Sequence, residues 1–408
     1  MIGVNGLVNK AERTKDLEVL INTLDISQTM VDNATEKYQN MASYLQSKGI
    51  EADIYPQGSF AIGTIVRPYV QATEKKYDLD FICQVNGNKN GYSPSEIKHL
   101  IGDALKASDV YCDKMDPEYD RCWTVNYADV GNIGFSMDIV PAIEEDGPSK
   151  AQLQLNADHP ELMATAIALT EKNGNEYEWL TNNPRGYKEW FDNSNKRFVD
   201  NIRYNFYNEN RSFYASVEDI PDNIGKTSLQ KVIQILKRHR DVYFIKREME
   251  DRKPISAVIT TLVADIAEMA PVDLSMLDLL EYVTNELAIY SNRQLMEYSE
   301  FSRRFSNRNL IQKGADNKWV LKNPANPEDN LVDYWNGDSM NVRLFFEWLE
   351  AVKKDFSTAL DKEEEQFFAG LENAFGSGFV RKYINPENYS KKKPETMVNP
   401  AKPWRNSI

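Results

Sequence analysis

Cysteine and histidine are scarce, three of each in 408 residues. Cys83, Cys112 and Cys122 make no C-x-x-C pair, and His99, His159 and His239 do not complete a zinc ligand set beside them. The expectation is three reduced thiols in a cytoplasmic protein. Long apolar runs are missing as well. The opening MIGVNGLVNKAERTKDLEVL has no apolar signal core, and no stretch is apolar enough to span a bilayer, so no membrane role is expected. Positive charge is short: 48 lysines and arginines stand against 62 aspartates and glutamates, a formal net charge of −14. Gripping long DNA or RNA depends on neutralising phosphates, so that class of function is set aside. A small anionic ligand held by a few lysines and a metal ion is compatible with the balance.

What is present is ordinary globular material, 41% hydrophobic and 27% charged, long enough for two or three domains or one bilobed enzyme. No internal repeat or low-complexity domain occurs. Met30, Ala34, Tyr38, Met41 and Leu45 recur at three- and four-residue spacing and predict one long helix over 16–48, closed by Gly49. Extended segments follow around 52–55, 77–85, 121–128 and 134–139, with a turn-rich stretch at 86–91 and a helix over 94–108 capped by Ser95. This is an α/β first part with a mixed sheet. From Asp219 the pattern is helical, over 229–244, 256–269, 275–291, 340–359 and 362–375, with an irregular bridge at 322–330. After Tyr383 the chain is rich in proline and lysine and reads as a flexible tail.

The chemistry concentrates in YDLDFI. Side chains at i and i+2 of a strand share a face, which puts Asp78 beside Asp80, among the apolar Leu79, Phe81 and Ile82. Two carboxylates on a half-buried strand repel and lose hydration unless a cation lies between them. Magnesium, a hard ion that prefers oxygen, is the natural remedy, and the bland alternative is an edge strand with both aspartates in solvent. A second strand, GFSMDIVP, adds Asp138 in apolar company; it too has a bland alternative, a solvated strand end before Pro141. Three carboxylates on neighbouring strands suit a two-metal site for phosphoryl displacement. Upstream, QGSFAIGT places Gly58 where backbone can approach a ligand and Ser59 where a helix starts with its amides toward an anion. Gly-Ser alone matches any turn. The ordered set is the signal: Gly58-Ser59, the aspartate pair beginning nineteen residues after Ser59, then Asp138.

That set resembles the hallmark of polymerase-β-like nucleotidyltransferases. QGSFAIGTIVRPY, YDLDFICQV, FSMDIVPAI and NNPRGYKEWF, with LKRHRD, KPISAVITTL and NPANPEDNLVDYW further on, are similar to the bacterial cGAS/DncV-like nucleotidyltransferases (CD-NTases) over about residues 20–380. The resemblance implies an α+β, bilobed polymerase-β-like core with a mixed sheet and an N-terminal spine helix over 1–220. A C-terminal helical lobe would cover 221–385, with the active site in the cleft between and a flexible tail over 386–408. It further implies that Asp78, Asp80 and Asp138 bind Mg2+ (or Mn2+), with Asp138 also positioning the attacking ribose hydroxyl. Gly58 and Ser59 would hold the donor's β- and γ-phosphates, Gln57 would belong to the same nucleotide-binding set, and Lys237 and Ser256 would contact the triphosphate. On the residues alone, Lys237 is equally a snorkelling lysine and Ser256 a helix cap. The sequence departs from the cGAS enzymes in two places: Ala257 stands where an aromatic residue stacks on a base, and the zinc insertion that senses DNA is absent.

The implied activity is synthesis of a cyclic di- or trinucleotide second messenger from NTPs, ATP among them, with release of pyrophosphate. The implied setting is CBASS antiphage defence, with a product-activated effector and accessory regulators as partners, the latter engaging the C-terminal tail. Two other readings stand beside it. One is a template-independent transferase acting on RNA or protein, although residues 231–253 carry eight basic against four acidic residues, a thin excess for RNA. The other is a non-catalytic nucleotide-sensing module, which would have no need of three neighbouring carboxylates.

Overall fold

A computed structural model describes residues 4–67, 69–70, 73–74, 77–130, 133–211, 216–217, 225–291, 299–300 and 310–384. The tail expected over 386–408 lies outside them, as does the start of the helical part at Asp219. Among the described residues, no helix is long and apolar enough to cross a membrane. The architecture is α+β, a mixed sheet first and a helix-rich second part.

The expected helix over 16–48 is two helices, α1 (Val4–Leu24) and α2 (Gln28–Ser47). The break lies at Asp25-Ile26-Ser27, where the Ser27 hydroxyl accepts a hydrogen bond from Met30 N at 3.3 Å and starts a new helix. The periodicity runs through the break, because Met30, Ala34, Met41 and Leu45 are all buried against the sheet and Tyr38 packs on Phe81.

The main sheet has six strands: β1 (Ala52–Pro56), β2 (Tyr77–Asn88), β3 (Trp123–Val130), β4 (Ile133–Glu144), β5 (Ile167–Asn173) and β6 (Glu176–Asn182). Their order is β1-β2-β4-β5-β6, with β3 paired to the first half of β4. Among the described residues, only β2 and β4 run parallel, and every other pairing in this sheet is antiparallel. The turn-rich stretch expected at 86–91 begins late, since β2 continues to Asn88. β5 and β6 were not expected at all. α3 (Gly58–Ala61) is the single turn after β1. α4 (Pro94–Lys106) is capped by Ser93, not Ser95: the Ser93 hydroxyl takes Glu96 N while the Glu96 carboxylate takes Ser93 N, a reciprocal pair that Ser95 cannot form. Alternation along β2 and β4 buries Tyr77, Leu79, Phe81, Phe135, Met137 and Ile139 against α2 and α4. The opposite face at the same level is thereby left to Asp78, Asp80, Ser136 and Asp138.

α5 (Gly147–Asn156) and α6 (Pro184–Glu209) follow the sheet strands, and α6 is capped by Asn183. The second part contains α7 (Ser228–Ile245), α8 (Ser256–Met269), α9 (Met276–Ser291), α10 (Asp333–Gly337), α11 (Ser339–Phe356), α12 (Glu364–Phe375) and α13 (Ser377–Tyr383). The bridge at 322–330 is partly ordered: Lys322–Asn323 pairs antiparallel with Asn326–Asn330, with a register shift between Lys322 and Asn323. A large apolar cluster joins these helices to α1 and α6. α7 is its axis and is buried nearly throughout, including the polar Gln234, Lys237, Arg238 and Arg240.

Candidate active site

The parallel pairing of β2 and β4 sets Asp78 opposite Ser136 and Asp80 opposite Asp138. Antiparallel pairing then puts Thr124 of β3 opposite Asp138 from the other side. The three expected carboxylates therefore share one face of two adjacent strands. Each outer one has an oxygen held by a hydroxyl: Ser136 Oγ donates to Asp78 Oδ1 at 2.6 Å, and Thr124 Oγ1 to Asp138 Oδ1 at 2.5 Å. Burial pushes the Asp80 carboxyl up to about 6, and the charges of Asp138 and Asp78 push the same way, with Lys237 opposing. Asp138 is also raised, by burial first and by Asp78 and Asp116, while the Thr124 hydrogen bond works against the rise.

Among the described residues, no three histidine, cysteine, aspartate or glutamate side chains are gathered into a ready-made metal site. The donor chemistry nonetheless fits a hard divalent cation: all ligating atoms on this face are carboxylate or hydroxyl oxygens, and their mutual repulsion is what a cation relieves.

Gln57, Gly58 and Ser59 sit directly beside Asp80. Gln57 N donates to Asp80 O at 2.9 Å, which ties the end of β1 to β2. Gly58 has φ +58°, and a Cβ there would lie 3.5 Å from Asp80 Oδ2, so glycine serves both the left-handed turn and the close approach.

Two cavities flank this junction. One of about 290 Å³ is lined by Gln57, Gly58, Ser59, Lys237 and Ser256, together with the ring of Tyr187 and the apolar Ile62, Ala257 and Leu331. The other, about 930 Å³ and open, is lined by Asp78, Asp138, Ser136 and Thr124 and reaches Asp116, Tyr119 and Lys253. Its rim at 119–122 is held from below by Lys98, whose Nζ, on α4, donates to the carbonyls of Tyr119, Asp120 and Cys122 at 2.9, 3.2 and 3.3 Å.

Lys237 and Ser256 thus join Gly58 and Ser59 in one cavity. Lys237 does not snorkel: it is 3% exposed and donates to Thr64 O at 2.9 Å. Burial, then the nearby Arg240, pulls its ammonium down to about 7. Ser256 is not a cap. It is the first residue of α8, Ile255 holds the cap position, and the Ser256 hydroxyl accepts from Arg240 Nη1 at 3.1 Å.

Residues 12–195 match the Second Messenger Oligonucleotide or Dinucleotide Synthetase domain. The c-di-GMP synthase of Roseivirga ehrenbergii is 26% identical over 333 residues, covering 80% of this chain and 74% of that protein. Over that domain and along most of its length the chain resembles the bacterial CD-NTases, and the match supports a nucleotidyltransferase of the kind that makes cyclic oligonucleotides. Solved CD-NTases share its polymerase-β-like fold. Bradyrhizobium diazoefficiens CdnG in complex with GTP superposes with a TM-score of 0.62 at 20% identity, over 90% of this chain and 96% of CdnG. CdnC of E. coli MS115-1 with ATP gives 0.58 at 13%, over 90% and 98%.

The sequence did not reveal the hydroxyls of Thr124 and Ser136, nor the aromatic wall of the smaller cavity. Ser136 was within reach, two residues before Asp138 and so on its face. Tyr187 carries the ring that Ala257 lacks. Its hydroxyl is hydrogen-bonded with Thr261 Oγ1 at 2.9 Å, so the ring stands fixed at the cavity edge.

Proposed function

We propose that this chain is a CD-NTase that joins ribonucleoside triphosphates into a cyclic di- or trinucleotide, releasing pyrophosphate, as the signal-producing enzyme of a CBASS antiphage system. One observation carries the chemistry: Asp78, Asp80 and Asp138 share a face at the junction of a small, partly apolar cavity and a larger, polar one. The smaller cavity takes the donor nucleotide and the larger the acceptor. Gln57, Gly58 and Ser59 hold the donor's β- and γ-phosphates, Lys237 and Ser256 complement their charge, and Tyr187 offers its ring to the base. Residues 1–220 form the nucleotidyltransferase core and 221–385 the helical lobe that completes the donor side.

Mg2+, or Mn2+, bound by Asp78, Asp80 and Asp138 would supply charge neutralisation on the triphosphate. Asp138 has one oxygen fixed by Thr124 and a carboxyl of raised proton affinity. Its other oxygen, Oδ2, is suited to orient the acceptor's ribose hydroxyl and take its proton as attack begins. The apolar wall of Ile62, Ala257 and Leu331 keeps water from the donor side. The linear intermediate then re-enters the donor cavity with its own triphosphate, and ring closure repeats the same step.

GTP and ATP are the first substrates to test, given a c-di-GMP synthase relative and neighbours captured with GTP and with ATP. The full chain is incubated with four labelled NTPs and Mg2+ or Mn2+, and products are treated with phosphatase and identified by mass spectrometry. A phosphatase-resistant cyclic product, lost in the Asp78→Asn, Asp80→Asn double variant, is the expected result. A labelled high-mass band would instead point to transfer onto RNA or protein.

A further inference from the structure

Between α3 and Tyr69, residues 62–67 cross the front of α7 without regular secondary structure. Their carbonyls are taken one after another. Gln230 Nε2 donates to Ile62 O at 3.1 Å, Lys226 Nζ to Gly63 O at 2.7 Å and Lys237 Nζ to Thr64 O at 2.9 Å. Gln234 Nε2 donates to Ile65 O at 2.7 Å, and Arg238 Nη1 to Arg67 O at 3.0 Å. Lys226, Gln230, Gln234 and Arg238 stand four positions apart, one stripe of α7 and its lead-in, with Lys237 three positions after Gln234. Gln234 and Arg238 are each 1% exposed.

Burying amides and a guanidinium is unfavourable unless they find partners, and an irregular loop likewise needs its carbonyls satisfied. An apolar stripe would bury α7 equally well but would leave the loop free to slide. Directional donors fix it in one place. The held segment is coupled at both ends: Thr64 N donates to Ser59 O at 2.9 Å, and Arg67 N to Leu24 O at 2.9 Å. At Gly63 (φ +68°) a Cβ would come within 2.7 Å of Gln230 Nε2, so the clasp also leaves no room for a side chain.

We propose that Lys226, Gln230, Gln234 and Arg238 are positioning residues: they fix the segment that follows Gly58 and Ser59, so that α7 determines where the donor's phosphates lie. This rests on the reading of Gly58 and Ser59 as the phosphate-holding turn, and it gives the C-terminal half a role in the reaction beyond lining the cavity. A change in the seating of α7 would reach the reacting phosphate through these bonds, and a small misplacement there costs one to two orders of magnitude in rate, roughly.

The test uses the full chain with Gln234→Met, which keeps side-chain length and removes the amide. Three readouts are taken: amide exchange at 58–67, binding of a non-hydrolysable GTP or ATP analogue, and kcat with KM. Exchange at Thr64 should accelerate about tenfold or more while α9 is unchanged, and kcat should fall about tenfold or more at saturating substrate. Unchanged exchange at 58–67 would overturn the proposal, as would faster exchange with kcat and KM both within about twofold of wild type. Lys226→Met, at a half-buried position, gives the same readouts should Gln234→Met not fold. A wild-type chain that binds the analogue but makes no product counts against the synthase reading alone. The clasp is then judged by whether Gln234→Met weakens that binding about fivefold or leaves it intact.

Discussion

Asp80 and Asp138 face each other at the same level of the parallel β2–β4 pair, with Asp78 one pleat away. Burial first, and then the charges of neighbouring carboxylates, raise the proton affinities of Asp80 and Asp138, so this cluster destabilises the fold it sits in. Asp80→Asn should therefore stabilise the chain in chelator-containing buffer by about 1–2 kcal/mol, by denaturant unfolding, while cutting product formation about a hundredfold or more. Magnesium should raise the melting temperature of the wild type and leave that of an Asp80→Asn, Asp138→Asn double variant unmoved. A destabilised, active Asp80→Asn would contradict both expectations.

The Thr124 hydroxyl donates to Asp138 at 2.5 Å and fixes the orientation of its carboxylate. Thr124→Val keeps the shape of the side chain and removes that bond. A hydrogen bond to a charged group contributes roughly 1.5–3 kcal/mol, so kcat should fall about ten- to a hundredfold, with KM for the donor changed less than about threefold. Equal losses through KM would assign Thr124 to binding instead.

Tyr187 provides the aromatic surface of the smaller cavity. Stacking on a base contributes roughly 1–3 kcal/mol, so Tyr187→Leu should raise the donor KM about five- to a hundredfold. Tyr187→Phe loses only the bond with Thr261 and should stay within about threefold of wild type. If the Phe variant fails as badly as Leu, the hydroxyl matters and the ring does not.

The period-two rule placed Asp78 and Asp80 on one face from the sequence alone, and the order of Gly58-Ser59, Asp78-x-Asp80 and Asp138 was legible because each motif is local. Thr124 was not, because its place depends on the β3–β4 register, which joins residues 14 apart. The break at Ser27 hid inside an unbroken apolar stripe, since a single hydroxyl cap leaves no trace in periodicity. β5 and β6 had a signal that went unused: Gly174 and Asn175 between two segments rich in β-formers mark a tight hairpin. Lys237 read equally well as a snorkelling residue on an amphipathic helix, and the stripe it forms with Gln230 and Gln234 left no local signal. Its partner is main chain from a loop more than 160 residues away.

Asp265 on α8 lies outside the carboxylate site, behind Tyr187, and its carboxyl is pushed up to about 7, by burial first and then by Glu268 and Asp158. In the unfolded chain it ionises near pH 4, roughly. Between those values the folded state binds the additional proton, so stability falls as pH rises from about 4 to about 7 and stays lower above that. Asp265→Asn removes this dependence. Chemical denaturation at acid, neutral and alkaline pH should show variant and wild type close together near pH 4. The gap in favour of the variant should widen to on the order of 2–4 kcal/mol and level off above neutrality. Parallel curves across the range would mean that Asp265 is ionised in the folded protein and that a neighbouring group compensates it.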